Sequence, residues 1–178
     1  MKRLLNLKFN KIKRDNSESM RDERIYLASS MDADFRESII GAAQILRETF
    51  RDVYVPMEHV IKNAWDYPNN EWGLMVFQND LSAIDDCDYV VFLNYGRERT
   101  TAGCSWEAGY AFASGKKVFV VDIPHPHLHE PDPEYKVPQF ITSLMIENGR
   151  YATINGLDGL RNYDWEKLKK TRTKYEQK

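Results

Sequence analysis

Hydrophobic and polar positions along the chain alternate between short dense apolar runs and longer segments with helical spacing. Arg24-Ile25-Tyr26-Leu27-Ala28-Ser29 is a β-rich run ending in small residues. Asp34 to Phe50 follows, with Ile39, Ala43, Leu46 and Phe50 spaced for one face of a helix. Val53-Tyr54-Val55 reads as a second strand stopped by Pro56, which pushes the residue before it toward extended backbone. A loop rich in Asn and aromatic residues covers Lys62 to Trp72, and Met75 to Asp86 reads as a helix carrying Met75, Val76, Leu81 and Ile84. Tyr89-Val90-Val91-Phe92-Leu93 is a continuous apolar run, the pattern of a strand covered on both faces. Ser105 to Ser114 is an Ala-rich helix ended by Gly115, and Val118 to Val121 is the next buried strand. Pro124 to Pro138 holds five prolines and three histidines and reads as a loop. A short segment at Phe140 to Ile146, a weak strand at Tyr151 to Ile154 and a polar helix from Asp164 to Tyr175 complete the chain.

Strands alternating with helices predict an α/β architecture with an open, mainly parallel sheet of five strands. In such sheets a ligand sits beyond the carboxyl ends of the strands, where the strand order reverses. That rule selects Ala28-Ser29-Ser30, Asn94-Tyr95-Gly96 and the segment after Val121 before any chemistry is considered.

Composition bounds this picture without redirecting it. The 178 residues suit one domain, residues 23–178, and 42% apolar content is enough for one core. Lys2, Arg3, Lys8, Lys11, Lys13 and Arg14 precede the first acidic residue, Asp15, so residues 1–22 read as a basic, poorly ordered arm. The net charge of -2 gives no overall pull toward nucleic acid or an anionic membrane. With no apolar run near the ~20 residues needed to span a bilayer, no signal-peptide pattern, and Cys87 and Cys104 as the only cysteines, the expected setting is a reducing cytoplasm. The 12% aromatic content leaves apolar surface to cover, which favours a homo-oligomer.

The segment richest in chemistry is Thr101-Ala102-Gly103-Cys104-Ser105-Trp106-Glu107-Ala108-Gly109-Tyr110-Ala111. It follows the most hydrophobic strand and opens a helix. Glu107 is placed near the first turn, where the helix dipole favours an ionised carboxylate. Such a carboxylate either attacks an electrophilic carbon or stabilises the helix start. A second candidate is Asp80 in Asn79-Asp80-Leu81: Asp is a poor mid-helix residue, so it faces either solvent or a site. Trp65, Tyr67, Trp72 and Trp106 are candidates for a stacking wall. His125, His127 and His129 read as a solvated rim of the Pro-rich loop rather than as metal ligands.

Four pieces occur in order: Arg24 to Ala28, Asn79-Asp80-Leu81 with Ile84, Cys87-Asp88, and Gly103 through Trp106-Glu107-Ala108-Gly109-Tyr110-Ala111 with Gly115-Lys116-Lys117. In this order they resemble the nucleoside 2-deoxyribosyltransferase family, over about Arg24 to Ile123. The resemblance implies a flavodoxin-like or Rossmann-like three-layer fold and no cofactor or metal. The implied partners are a nucleoside or nucleotide and a free nucleobase, with sites near subunit interfaces. It implies Glu107 as nucleophile, Asp80 as the acid that meets the base, and Tyr26 as the tyrosine that holds the nucleophile. Ser29, Ser30, Asn79, Thr101, Gly103 and Met145 are then the substrate-binding candidates, Met145 through Ser143-Leu144-Met145. Many transferases of this family carry Asp six residues before the nucleophile, where this chain has Thr101. The related deoxynucleoside 5′-monophosphate N-glycosidases place a hydroxyl residue there. Ser29, Ser30 and Arg36 could then supply donors to a phosphate. Transfer between bases and hydrolysis of monophosphates are both open at this point, as is a nucleotide-binding module without turnover.

Overall fold

Strand residues that alternate along each apolar run send their side chains to opposite sides, and this sorting builds two cores. In the computed structural model, which describes residues 20–96, 99–124 and 143–169, the five strands are β1 (Arg21–Ala28), β2 (Phe50–Tyr54), β3 (Tyr89–Asn94), β4 (Lys117–Asp122) and β5 (Ala152–Asn155). All neighbours pair in parallel, in the order β2-β1-β3-β4-β5. Helices α1 (Arg36–Arg47), α2 (Asn69–Asp86), α3 (Ala102–Ala113), α4 (Leu144–Gly149) and α5 (Gly156–Arg161) complete three layers. On one face Ile25, Leu27, Val91, Leu93, Phe119 and Val121 pack with Ile39 and Leu46 of α1 and Leu160 of α5. On the other, Tyr26, Ala28, Val90, Phe92, Val118 and Val120 meet Ile84 of α2, Cys104, Ala108 and Ala111 of α3, and Ile146 of α4. The expected open parallel sheet of five strands is what the chain forms. Its order places the reversal between β1 and β3, as in flavodoxin-like sheets.

Several boundaries differ from the pattern reading, each for a physical reason. Phe50 opens β2 rather than closing α1: it is fully buried against Trp165, with ring centroids 4.9 Å apart, and an apolar residue at that spacing satisfies either element. Helix α2 starts at Asn69, so Trp72 lies on the helix and not in a loop; Pro68 cannot continue a helix backward, and its carbonyl accepts from the Glu71 and Trp72 amides. Helix α5, hidden by Gly156 and Gly159, was not anticipated; Gly156 adopts φ 64° at its start. Of the segment Asp164 to Tyr175, the described part holds a 3-10 turn at Trp165–Lys169, whose Trp165 and Leu168 are buried in the first core. Strand β1 begins at Arg21, whose guanidinium pairs with Glu166 at 2.8 Å; the rest of the basic arm and the His125 to His129 segment lie outside the described residues.

Leu46 shows how α1 is held. It is 1% exposed among Ile25, Phe35 and Phe50. Leu46→Ala is expected to lower unfolding free energy by about 3 kcal/mol, read from denaturant melts, because the rigid sheet cannot collapse into the space left.

Candidate active site

The alternation along β1 points Tyr26 toward the layer of α2 and α3, and those helices supply the two carboxylates. Thr101 caps α3: its Oγ1 accepts from the Cys104 amide at 3.3 Å and donates to Cys104 Sγ at 3.0 Å. The helix therefore begins at Ala102, and Glu107 sits in its second turn rather than its first. The dipole argument weakens there, since its influence fades within one turn. What governs Glu107 is burial, which pushes its carboxyl up to about 7; the Tyr26 hydroxyl, donating to Oε1 at 3.1 Å, opposes the shift, and the charge of Asp80 adds to it. The expected bias toward ionisation is thus reversed in the free site.

Asp80 is half-buried on α2 and faces this site, not bulk solvent. Burial raises its pKa, while a hydrogen bond from the Tyr54 hydroxyl at 3.2 Å and the charge of His59 lower it. Between the carboxylates lies a hollow of about 340 Å³ lined by Phe77, Asp80, Leu81, Gly103, Trp106 and Glu107. Phe77 and Trp106 form a tilted pair with centroids 5.4 Å apart, and Trp106 stacks on Tyr110 at 5.3 Å, so one side of the hollow is an aromatic wall. Trp65, by contrast, is 98% exposed.

The loops after β1 and β3 carry the remaining polar candidates. Ser29 and Ser30 follow β1 and are both buried. Ser30 Oγ accepts from the Asp32 amide at 3.4 Å, whereas Ser29 Oγ has no hydrogen-bond partner. An unsatisfied buried hydroxyl is uncommon and is explained by a ligand or a water. Arg99 ties this loop to the one after β3 through Asp32 at 3.5 Å and Asp34 at 3.7 Å. Asn94 holds that second loop, donating to Asp122 at 2.7 Å and accepting from the Gly96 amide at 2.9 Å; Gly96 has φ 88°, which favours glycine.

The structure brings together Tyr26, Asp80, Gly103 and Glu107, with Ser29 and Ser30 at the adjoining strand end. Thr101 is exposed and occupied as a cap, and Asn79 is exposed beside Asp80 without lining the hollow. Met145 lies elsewhere, in a groove of about 370 Å³ between α3 and α4 lined also by Ser105, Ala108, Phe112 and Ile146, on a different face of α3 from Glu107. Tyr54 and His59 were not singled out from the sequence. Tyr54 gains its place only in the sheet, where the parallel β1–β2 register pairs it with Tyr26 and lays the two rings side by side.

Two carboxylates facing one hollow beside a parallel sheet form the kind of pair that glycosyl transfer uses. The family model of nucleoside 2-deoxyribosyltransferase matches residues 25–149. The chain belongs to the nucleoside 2-deoxyribosyltransferase family, and it is an N-glycosyl transferase or N-glycosidase. Its fold is similar to that of a 2-deoxyribosyltransferase from Bacillus psychrosaccharolyticus, at 26% identity and TM-score 0.64, over 82% of this chain and 95% of that one. It is also similar in fold to a conserved protein from Enterococcus faecalis V583, at 21% identity and TM-score 0.60, over 79% and 96% of the two chains. No curated protein matches it. Among the described residues no helix is long and apolar enough to cross a membrane.

Proposed function

We propose that the protein cleaves the N-glycosidic bond of 2′-deoxyribonucleosides through a covalent deoxyribosyl ester on Glu107 and passes the sugar to another nucleobase. The observation that carries this reading is the pair of carboxylates on one hollow, each held by its own tyrosine hydroxyl. Ionised Glu107 attacks the anomeric carbon as the carbon–nitrogen bond breaks, and protonated Asp80 gives its proton to the departing base. In the second half the incoming base nitrogen attacks that carbon, the ester bond breaks, Asp80 takes the proton from the base, and Glu107 leaves as carboxylate. The name of the Bacillus psychrosaccharolyticus relative supports this choice of sugar. Tyr26 holds Glu107, the Phe77–Trp106 wall stacks the base, and Gly103 leaves room beside it; an added Cβ would only touch Thr101 Oγ1 at 3.8 Å. Ser29, Ser30, Asn79 and Thr101 are the proposed polar contacts to the remaining substrate.

Incubation with deoxyinosine and a second free base tests the reading: exchanged nucleoside supports transfer. Hydrolysis of deoxynucleoside 5′-monophosphates is the alternative, favoured by Thr101 in place of a carboxylate and by the unpartnered Ser29 hydroxyl. It predicts release of sugar phosphate, with no exchange, and preference for the monophosphate. A binding module without turnover predicts no base release from either substrate, with nucleoside affinity retained in Glu107→Ala. The exposed Leu144 and Met145 beside half-exposed Phe112 support a homo-oligomer, which light scattering would read directly.

The pH dependence carries a sign. Glu107 attacks only when ionised, so kcat/KM is expected to fall about tenfold per unit as pH drops below the group's midpoint. With that midpoint at about 7, the acidic limb should lie near neutrality rather than near pH 4. A profile flat from pH 5 to 8 would remove Glu107 from the rate equation.

A further inference from the structure

Asp80 has a support of its own, built from a strand and a turn that the resemblance did not point to. The Tyr54 ring is held in a ladder of three: Tyr26 stacks on one side at 5.5 Å and 12°, and His59 on the other at 4.1 Å and 7°. Each tyrosine of the ladder donates to a different carboxylate, Tyr26 to Glu107 and Tyr54 to Asp80. The parallel register that pairs Tyr26 with Tyr54 makes the two donors neighbours, so the ladder sets the spacing of the carboxylates. We propose that Tyr54 and His59 are positioning residues for Asp80, doing for the leaving-group carboxylate what Tyr26 does for Glu107.

The physical case has two parts. Without His59, one face of the Tyr54 ring would be open to solvent and its hydroxyl free to swing; a stacked ring at 4.1 Å removes that freedom. The second part is electrostatic. The charged and titratable groups facing Asp80 are Tyr54 on β2, His59 on the turn after it, Tyr26 on β1 and Glu107 on α3. Tyr54 is pushed up to about 12 by burial and by Asp80, so it stays a donor throughout the working range. The Tyr54 hydroxyl, donating to the charged carboxylate, and the electrostatic influence of His59 both favour ionised Asp80. Burial favours its protonated form. The opposition keeps Asp80 able both to release a proton to one base and to take one from the next, which transfer requires and a permanently protonated acid could not do.

The inference rests on the proposed role of Asp80, and the test separates the two. The protein is labelled with ¹³C-aspartate and the Asp80 carboxyl, assigned with Asp80→Asn, is titrated by NMR in the parent, Tyr54→Phe, His59→Ala and His59→Phe. The midpoint of Asp80 is expected to rise by about half a pH unit or more in Tyr54→Phe and His59→Ala, since each loses a group that favours the charge. His59→Phe keeps the stack without the imidazole, so it should restore the rate but not the midpoint. On deoxyinosine, Tyr54→Phe should lower kcat about tenfold with KM within about twofold, and move the alkaline limb of the profile upward. A methylated deoxyguanosine, whose base already carries a positive charge, should be released at the parent rate. An unmoved Asp80 midpoint in both Tyr54→Phe and His59→Ala would overturn the proposal, as would equal slowing of the two substrates. If the parent releases no base at all, the functional reading fails, while the midpoints still decide the positioning role.

Discussion

Glu107→Ala is expected to lower base release at least about 10⁴-fold and to abolish the sugar adduct that a 2-fluorinated nucleoside leaves on the parent protein. The reason is that the other carboxylate lining the hollow, Asp80, sits on α2 and is held there by the Tyr54 hydroxyl. Mass spectrometry of the trapped protein reads the outcome, and an adduct on any other residue would sink the assignment. A second variant separates chemistry from folding. The folded-state midpoint of Glu107 lies above its ordinary 4.5, at about 7, so the folded protein holds a proton that the unfolded chain releases. That difference is stabilising below about pH 4.5 relative to neutral pH, and it is lost as pH rises through 7. Glu107→Gln keeps the shape and never ionises. It should therefore match the parent in stability at low pH and exceed it above pH 7 by about 3 kcal/mol, while remaining inactive. Equal stability of the two proteins across that range would mean the carboxyl is less desolvated than its surroundings imply.

Asp80→Asn is expected to slow release of an ordinary purine by about 10³-fold, because an amide can hydrogen-bond the departing base but cannot hand it a proton. The loss should shrink to about tenfold or less on a base already carrying positive charge, such as N7-methylated guanine, since that group leaves without help. Steady-state assays on the two substrates decide it. If both slow equally, Asp80 holds the substrate in place and is not the acid.

How far the sequence foretold this arrangement depends on the range of the forces involved. Strands β3 and β4 were legible because Val90 to Leu93 and Val118 to Val121 are apolar without interruption, and only burial on both faces accounts for that. The switch-point rule selected the strand ends at Ala28-Ser29-Ser30 and Asn94-Tyr95-Gly96, whereas the hollow between the carboxylates is lined from α2 and α3. Phe50 misled because it fits the helical spacing of α1 and the core equally well. The start of α3 misled because Thr101 is one residue type among several good caps; the three-residue error moved Glu107 out of the first turn, and burial reversed the expected direction of its protonation. Tyr54 was invisible for another reason. Its role arises from pairing β2 with β1 and from facing a residue 26 positions away, and no local pattern encodes either. The roles of Asp80 and Tyr26 likewise came from the resemblance, since neither is exceptional within its own segment.

The cap on α3 has an evolutionary consequence. Thr101 earns its place in the fold by accepting one backbone amide, and Asp does that job as well as Thr. Exchanging one for the other leaves the helix intact while adding or removing a unit of negative charge a turn and a half from Glu107. On the proposed contact of Thr101 with the substrate, a single codon change that the scaffold scarcely registers would retune what this pocket accepts. Substrate preference in proteins built this way is free to drift faster than the architecture that carries it.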